Sequence, residues 1–280
     1  MSKIGICFSG GGARGAYQIG AVQALHDLGV FDKVKCMSGA SIGSANAAVL
    51  ASRTIEDAKK IWFDIPDNPL GKNKPILKSI KEEKLKVLDT GIYSMELFEE
   101  VLLKNVRIDQ INNYDVFVAI SESGDESKGI FELLKSSIRH YVKDNSKVHY
   151  LHINKLKEEE AIDAIKASCS IPVVFSPVTL GEKNYYDGGV FDNTPIQPLL
   201  DSGCDEIILI NIAFFGTLSK IRKLYPDIIL HEIKSKKKLG GVLDFTTKHS
   251  KRLYKIGYED TIEYYKSIDQ DTKYDNDVPL

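Results

Sequence analysis

A chain of 280 residues, 43% hydrophobic and 27% charged, has the length of one large α/β domain and the composition to bury a sizeable core. Its formal net charge of −2 excludes a global attraction to nucleic acid or to an anionic membrane, so no nucleic-acid partner is expected and membrane contact needs a local patch. The cysteines Cys7, Cys36, Cys169 and Cys204 form no Cys-x-x-Cys pair, which points to buried reduced thiols rather than to a zinc or redox motif. The apolar stretch Ile4 to Phe8 is too short for a signal-peptide core, and the run Ile207 to Phe215 is short and interrupted by Asn211. The expectation is a cytoplasmic protein with no signal peptide and no transmembrane segment.

In chain order, Lys3 to Phe8 reads as a buried strand that runs into Ser9-Gly10-Gly11-Gly12-Ala13-Arg14-Gly15. A helix from Ala16 to Leu28 follows and closes at Gly29. Two readings compete for the glycine loop. Gly10-x-Gly12-x-x-Gly15 between strand and helix matches the dinucleotide fingerprint, which also needs an acidic residue at the end of the second strand. Alternatively, converging backbone N–H groups at a helix start form an oxyanion hole. The second strand, Val34 to Met37, ends not in an acid but in Ser38-Gly39-Ala40-Ser41-Ile42-Gly43, with Asp32 ahead of it. That sequence favours the oxyanion hole. It also reads as a nucleophile elbow, a strand-to-helix turn on which Gly39 and Gly43 clear space around Ser41.

A helix is predicted from Arg53 to Phe63, carrying Trp62, the only tryptophan. Pro66, Asn68, Pro69, Gly71 and Pro75 then break the pattern. Residues 66–90 carry Lys72, Lys74, Lys78, Lys81, Lys84 and Lys86 among apolar residues. This segment reads as an insertion with two interpretations, a solvated face or a cap that touches anionic lipid at a membrane periphery. Further elements are a helix over Ser94 to Asn105, a strand over Asp115 to Ile120, a turn over Gly124 to Lys128, a strand over Val148 to Ile153 and a helix over Glu159 to Ser168. Alternating strands and helices predict an α/β fold with a mostly parallel central sheet flanked by helices in three layers. A second constellation, Tyr185-Tyr186-Asp187-Gly188-Gly189-Val190 with Asp192-Asn193-Thr194-Pro195, lies between Ala167-Ser168-Cys169-Ser170-Ile171-Pro172 and a strong strand from Glu206 to Phe215. An Asp before two glycines is by itself an ordinary turn. One catalytic domain over residues 1–268 is expected, with a polar tail over 269–280.

The glycine loop with its Arg, the Gly-x-Ser-x-Gly elbow, the Ala-Ser-x-Ser-Ile-Pro segment and the Asp-Gly-Gly with Asn and Pro following together resemble the patatin-like phospholipases. The likeness covers about residues 3 to 215, and Leu243-Asp244-Phe245 and Gly257-Tyr258 are similar to bacterial members more loosely. The resemblance implies a lipid acyl hydrolase of phospholipase A or lysophospholipase type. It implies Ser41 as nucleophile, Asp187 as base, the backbone amides of Gly11, Gly12 and Arg14 as oxyanion hole, a lipid or ester as substrate and no metal or cofactor. Gly10, Gly15, Gly39, Gly43, Gly188 and Gly189 complete the motifs. The oligomeric state is not legible in the sequence.

The nearest rival is a Ser-Asp-His triad, since His231 and His249 follow Asp187 in the chain. His231 lies in the apolar run Ile228 to Ile233 and reads as a structural histidine. His249 sits among Lys248, Lys251 and Arg252 and reads as a surface residue. His149 and His152, three apart on a strand, fall on opposite faces. His26 and His140 complete no metal-ligand pairing. The further alternatives are a nucleotide-binding module built on the glycine loop and a catalytically silent lipid-binding relative, against which the intact Ser41 and Asp187 count.

Overall fold

A computed structural model describes residues 2–65, 95–123, 148–172, 174–213 and 218–276, with side chains omitted for 218–220 and 269–276. The insertion at 66–90 and the turn at Gly124 to Lys128 lie outside the described residues. The strands are β1 (Ile4–Phe8), β2 (Val34–Ala40), β3 (Asp115–Glu122), β4 (Val148–His152), β5 (Val178–Leu180), β6 (Lys183–Asp187), β7 (Glu206–Asn211) and β8 (Ile229–Lys234). The helices are α1 (Gly15–Asp27), α2 (Ile42–Ser52), α3 (Ile55–Asp64), α4 (Glu96–Asn105), α5 (Glu158–Cys169), α6 (Gln197–Asp201), α7 (Leu218–Leu224) and α8 (Thr247–Asn276). None of the described helices is long and apolar enough to cross a membrane.

All strands join one sheet. β1 pairs in parallel with β2 and β7, β2 with β3, and β7 with β8. Period-two alternation then sorts the side chains of β1. Ile4, Ile6 and Phe8 face a core shared with α1, α2, α3, α5 and α8, whereas Cys7 joins Leu199 of α6, Ile221 of α7 and Leu230 on the other face. Helices therefore cover both faces, as the sequence predicts. Each fully buried large side chain of this core, Ile6 or Phe8 for instance, contributes roughly 1.5–3 kcal/mol. The four cysteines are free and buried.

The antiparallel part of the sheet is what the sequence pattern does not convey. β3 receives β4 antiparallel, Ala119 opposite Tyr150 and Ile120 opposite His149. It also receives β6 antiparallel, with Ile120 opposite Asp187. A residue has only two ladder edges, so β6 must occupy the edge opposite β4, and this is also the edge where Ala40 of β2 pairs with Ala119. β2 and β6 thus approach each other end to end along one side of β3. One ends at Ala40 and the other at Asp187. This register brings Ser41 and Asp187 together although they are far apart in sequence.

Several boundaries differ from expectation. Arg53 is extended (φ −137°, ψ 169°), so the helix expected over Arg53 to Phe63 begins at Ile55, with Thr54 accepting the Asp57 N–H at 3.1 Å as its N-cap. β7 stops at Asn211, whose side chain turns to bind Glu232 and the Ala213 N–H. The last helix runs on to Asn276, past residue 269 where the polar tail was expected to begin.

Candidate active site

Ser41 is the non-glycine residue with positive φ among those described (φ 53°, ψ −133°), a conformation that costs on the order of 1–3 kcal/mol and persists only when its surroundings fix it. They do so by close approach. A Cβ on Gly39 would stand 2.4 Å from the Gly43 carbonyl, and one on Gly43 would stand 2.3 Å from the Phe8 carbonyl. Ser44 binds the Ser41 carbonyl through both its N–H (2.9 Å) and its hydroxyl (2.6 Å). The Ser41 N–H reaches the Ser168 hydroxyl at 3.0 Å.

Asp187 ends β6 and is buried, as is Ser41. Its Oδ1 accepts the Gly189 N–H at 2.7 Å, and the Ser41 hydroxyl lies near enough to favour its ionised form. Burial pushes the carboxyl up to about 7; the nearby Ser41 hydroxyl and the Gly189 N–H pull the other way and lose. Cys169 lines the same space, but burial and the neighbouring Asp187 hold its thiol well above the usual range, which leaves it unreactive.

The glycine loop lies beside the elbow, a Cβ on Gly10 falling 3.0 Å from Ser41 Cβ. Gly10 is tied by its N–H to the Asn193 carbonyl (3.3 Å), and its own carbonyl accepts from Asn193 Nδ2 (3.3 Å). Gly12 has φ 57° and opens a 3-10 turn, whose first N–H groups have no partner within the turn. Gly11 N–H makes no hydrogen bond among the described residues. Arg14 is tied at both its backbone and its side chain. Its N–H is directed to the Gly11 carbonyl at 3.3 Å, while its guanidinium donates to the Gly240 carbonyl (Nη2, 2.7 Å) and the Ile212 carbonyl (Nη1, 3.2 Å). Arg14 therefore braces a strap, residues 240–245, that lies across the loop. Val242 O accepts the Ala13 N–H at 2.8 Å. A buried polar chain fixes the loop from below: Gln18 Nε2 donates to Ser9 O, Asn46 Nδ2 to Gln18 Oε1, and Trp62 Nε1 to Asn46 Oδ1.

From Ser41 an apolar cleft runs between α2, α3 and α4. Ala45, Val49, Trp62, Phe98 and Leu102 form its walls, and Val242 and Leu243 of the strap border it. Its lining is almost wholly apolar, with Ser41 at one end.

The histidines sit elsewhere. His231 Nε2 is 3.3 Å from Glu206 and its Nδ1 is 3.0 Å from the Tyr264 hydroxyl, a structural setting. His249 is not the surface residue expected. It is buried under Gly240, 3.6 Å from Asp244, because α8 begins beneath the strap and turns this side chain inward. His149 contacts Glu122 and Tyr185, whereas His152 meets Asp115 and Phe117. Among the described residues no group of three or more His, Cys, Asp or Glu could hold a metal ion. Motif reading passed over Gln18 and Asn46, and it quoted Ser168 and Asn193 within motifs without giving either a role. Their signal is weak: polar side chains where the helical or turn pattern calls for small or apolar ones.

Fold and site together define a class of α/β protein in which a serine on a strand-to-helix elbow meets a buried aspartate at the head of an apolar cleft. The model of the Patatin-like phospholipase family matches residues 6–200, and the chain belongs to that family. It is 23% identical over 218 residues to "Lysophospholipase NTE1" of Cryptococcus neoformans var. neoformans serotype D, covering 75% of this chain and 11% of that protein. It is 26% identical over 196 residues to "Probable lipid hydrolase 463L" of Invertebrate iridescent virus 6, covering 69% of this chain and 61% of the viral one. The chain thus spans less than two thirds of the length of either. Human GIVD cytosolic phospholipase A2 superposes with a TM-score of 0.53 at 11% identity, over 96% of this chain and 59% of the human one, a likeness of fold.

Proposed function

We propose that the chain hydrolyses carboxylic ester bonds of lipids, with Ser41 as nucleophile and Asp187 as its base. The observation that carries the reading is the placement of Ser41, on a strained elbow at the end of β2, beside the buried Asp187 that ends β6 on the same edge of β3. A serine hydroxyl attacks efficiently only if a base removes its proton during attack, and a base titrating near the working pH is the most effective. Ser41 attacks the ester carbonyl, and its proton passes to Asp187. The oxyanion that forms lies beside the N–H groups of Gly11 and Gly12; each such donor is worth about 3–4 kcal/mol of barrier. Asp187 then returns the proton to the departing alcohol or lysolipid, leaving an acyl-serine. In the second half Asp187 takes a proton from water as the water oxygen attacks the acyl-serine carbonyl, then returns it to Ser41 Oγ as that ester bond breaks and the fatty acid leaves. The apolar cleft holds the acyl chain, and family membership together with the relatives named above supports a phospholipid, lysophospholipid or related glycerolipid as substrate.

A fluorophosphonate probe followed by intact-mass analysis tests this. Wild type should gain one adduct at Ser41, and Ser41→Ala none. Ser41→Ala and Asp187→Ala should each lose ester hydrolysis by several orders of magnitude, with the double variant scarcely worse, as expected of residues acting as one unit. Multiplicative losses in the double variant would separate the two residues and remove the dyad.

A further inference from the structure

Ser41 and Asp187 leave different strands, yet one turn of chain holds both backbones. At the end of α5 the Ser168 hydroxyl accepts the Ser41 N–H at 3.0 Å and donates its own proton to the Ala119 carbonyl at 2.7 Å. Two residues on, the Ser170 carbonyl accepts the Asp187 N–H at 2.9 Å. Ala119 belongs to β3, whose next residue, Ile120, pairs with Asp187. Gly188 packs on the same Ala119 carbonyl so closely that a Cβ there would stand 2.1 Å from its oxygen. The Ser168 hydroxyl therefore occupies the junction of the elbow, the central strand and the Asp187 turn.

We propose that Ser168 is a positioning residue for the reaction at Ser41: its hydroxyl ties the nucleophile's backbone to β3 and so sets where the serine oxygen stands relative to Asp187. The inference rests on Ser41 and Asp187 acting as nucleophile and base. Ser41 is held in a conformation it does not adopt unaided, and its backbone partners differ in kind. The bonds from Ser44 come from the first turn of α2, which moves with Ser41 as a unit. Among the described hydrogen bonds of the Ser41 backbone, only that to Ser168 crosses to another element of the fold. A hydroxyl is the group this place requires. It has one proton, spent on Ala119, and lone pairs that accept the Ser41 N–H. Ser168 is fully buried, so no bulk water takes over when it is removed. It does not line the apolar cleft, so its loss leaves the substrate's binding surface intact.

Two rates read the role, fluorophosphonate labelling of Ser41 and steady-state hydrolysis of a soluble short-chain ester, both normalised to folded protein. Ser168→Ala should slow labelling and lower kcat by about 100-fold, the effect of a displacement near 1 Å at a reacting group. KM should stay within about threefold on the same geometric ground. Ser168→Thr restores the hydroxyl and should recover activity to within about tenfold of wild type. A merely structural role would lower the folded fraction while leaving kcat per folded molecule unchanged. If the Ala variant does not fold, Ser168→Cys decides instead: its thiol fills the space but accepts a hydrogen bond weakly, and the same loss of labelling rate is expected. Wild-type labelling rates in a folded Ala or Cys variant overturn the proposal. Ser41→Ala run in parallel separates the two levels. If it still reacts, the nucleophile itself is misassigned; if it is inert while Ser168→Ala reacts at full rate, only the positioning role fails.

Discussion

The carboxyl of Asp187 should make the protein less stable as pH rises through neutrality. Its proton affinity rises from the ordinary aspartate value of 3.8 to about 7 because the ionised form is buried. Between those limits the folded state holds a proton that the unfolded state has lost, so folding stability falls as pH rises. The contribution is fully present below about pH 4 and gone above about pH 8, a span worth about 4 kcal/mol. Asp187→Asn keeps the shape and an oxygen that can accept the Gly189 N–H but cannot ionise. Relative to wild type it should therefore gain about 3 kcal/mol between pH 5 and pH 8.5, which corresponds to a shift on the order of 10 °C in relative melting temperature. Urea unfolding of both proteins at the two pH values, read by circular dichroism, measures the difference and cancels every other titrating group. Wild-type kcat/KM on a soluble ester should rise with pH through a midpoint near 7, while the Asn variant stays inactive. A stability difference that does not change with pH would refute the reasoning, since the carboxylate would then lose nothing on burial.

Gly12→Ala should lower kcat about 100-fold or more, because φ is 57° and the new Cβ would stand 2.2 Å from the Val242 carbonyl, forcing the loop off its geometry; stopped-flow acylation checks it. Ala45→Phe fills the cleft wall, so hydrolysis of a long-chain ester should fall about tenfold or more while a short-chain ester is cleaved within about threefold of wild type. His231→Ala and His249→Ala should keep turnover per active site within about threefold, since one imidazole binds Glu206 and Tyr264 and the other lies against Gly240. A loss equal to that of Ser41→Ala in either variant, with the fold intact, would install a triad.

The parts legible in the sequence are those governed by local chemistry. Ile4 to Phe8 running into three glycines, and Val34 onward running into Gly39 and Gly43, carry their strand-loop-helix character within a few residues. What places Asp187 opposite Ser41 is the register of β6 on β3, and short half-buried strands such as Lys183–Asp187 carry no periodicity that fixes a partner. The burial of His249 was equally hidden. Its lysine and arginine neighbours describe a helix surface, but the strap anchored by Arg14 covers the one face on which His249 sits. Ser168 is visible as a small residue at a helix end, while its two hydrogen bonds, to chain segments 127 and 49 residues away, are tertiary facts.

Trp62 gives the molecule an optical property that follows from its place. It is the chain's only tryptophan, its ring stacks 6.2 Å from Phe245 at 9°, its N–H is given to Asn46, and one edge forms the cleft wall. The red-edge emission of the whole protein therefore comes from a single indole that borders the space an acyl chain would fill. Entry of an amphiphile replaces solvent beside that ring and changes its colour and yield without any label. A brominated chain would quench it by contact, with an efficiency that depends on how far down the chain the bromine sits.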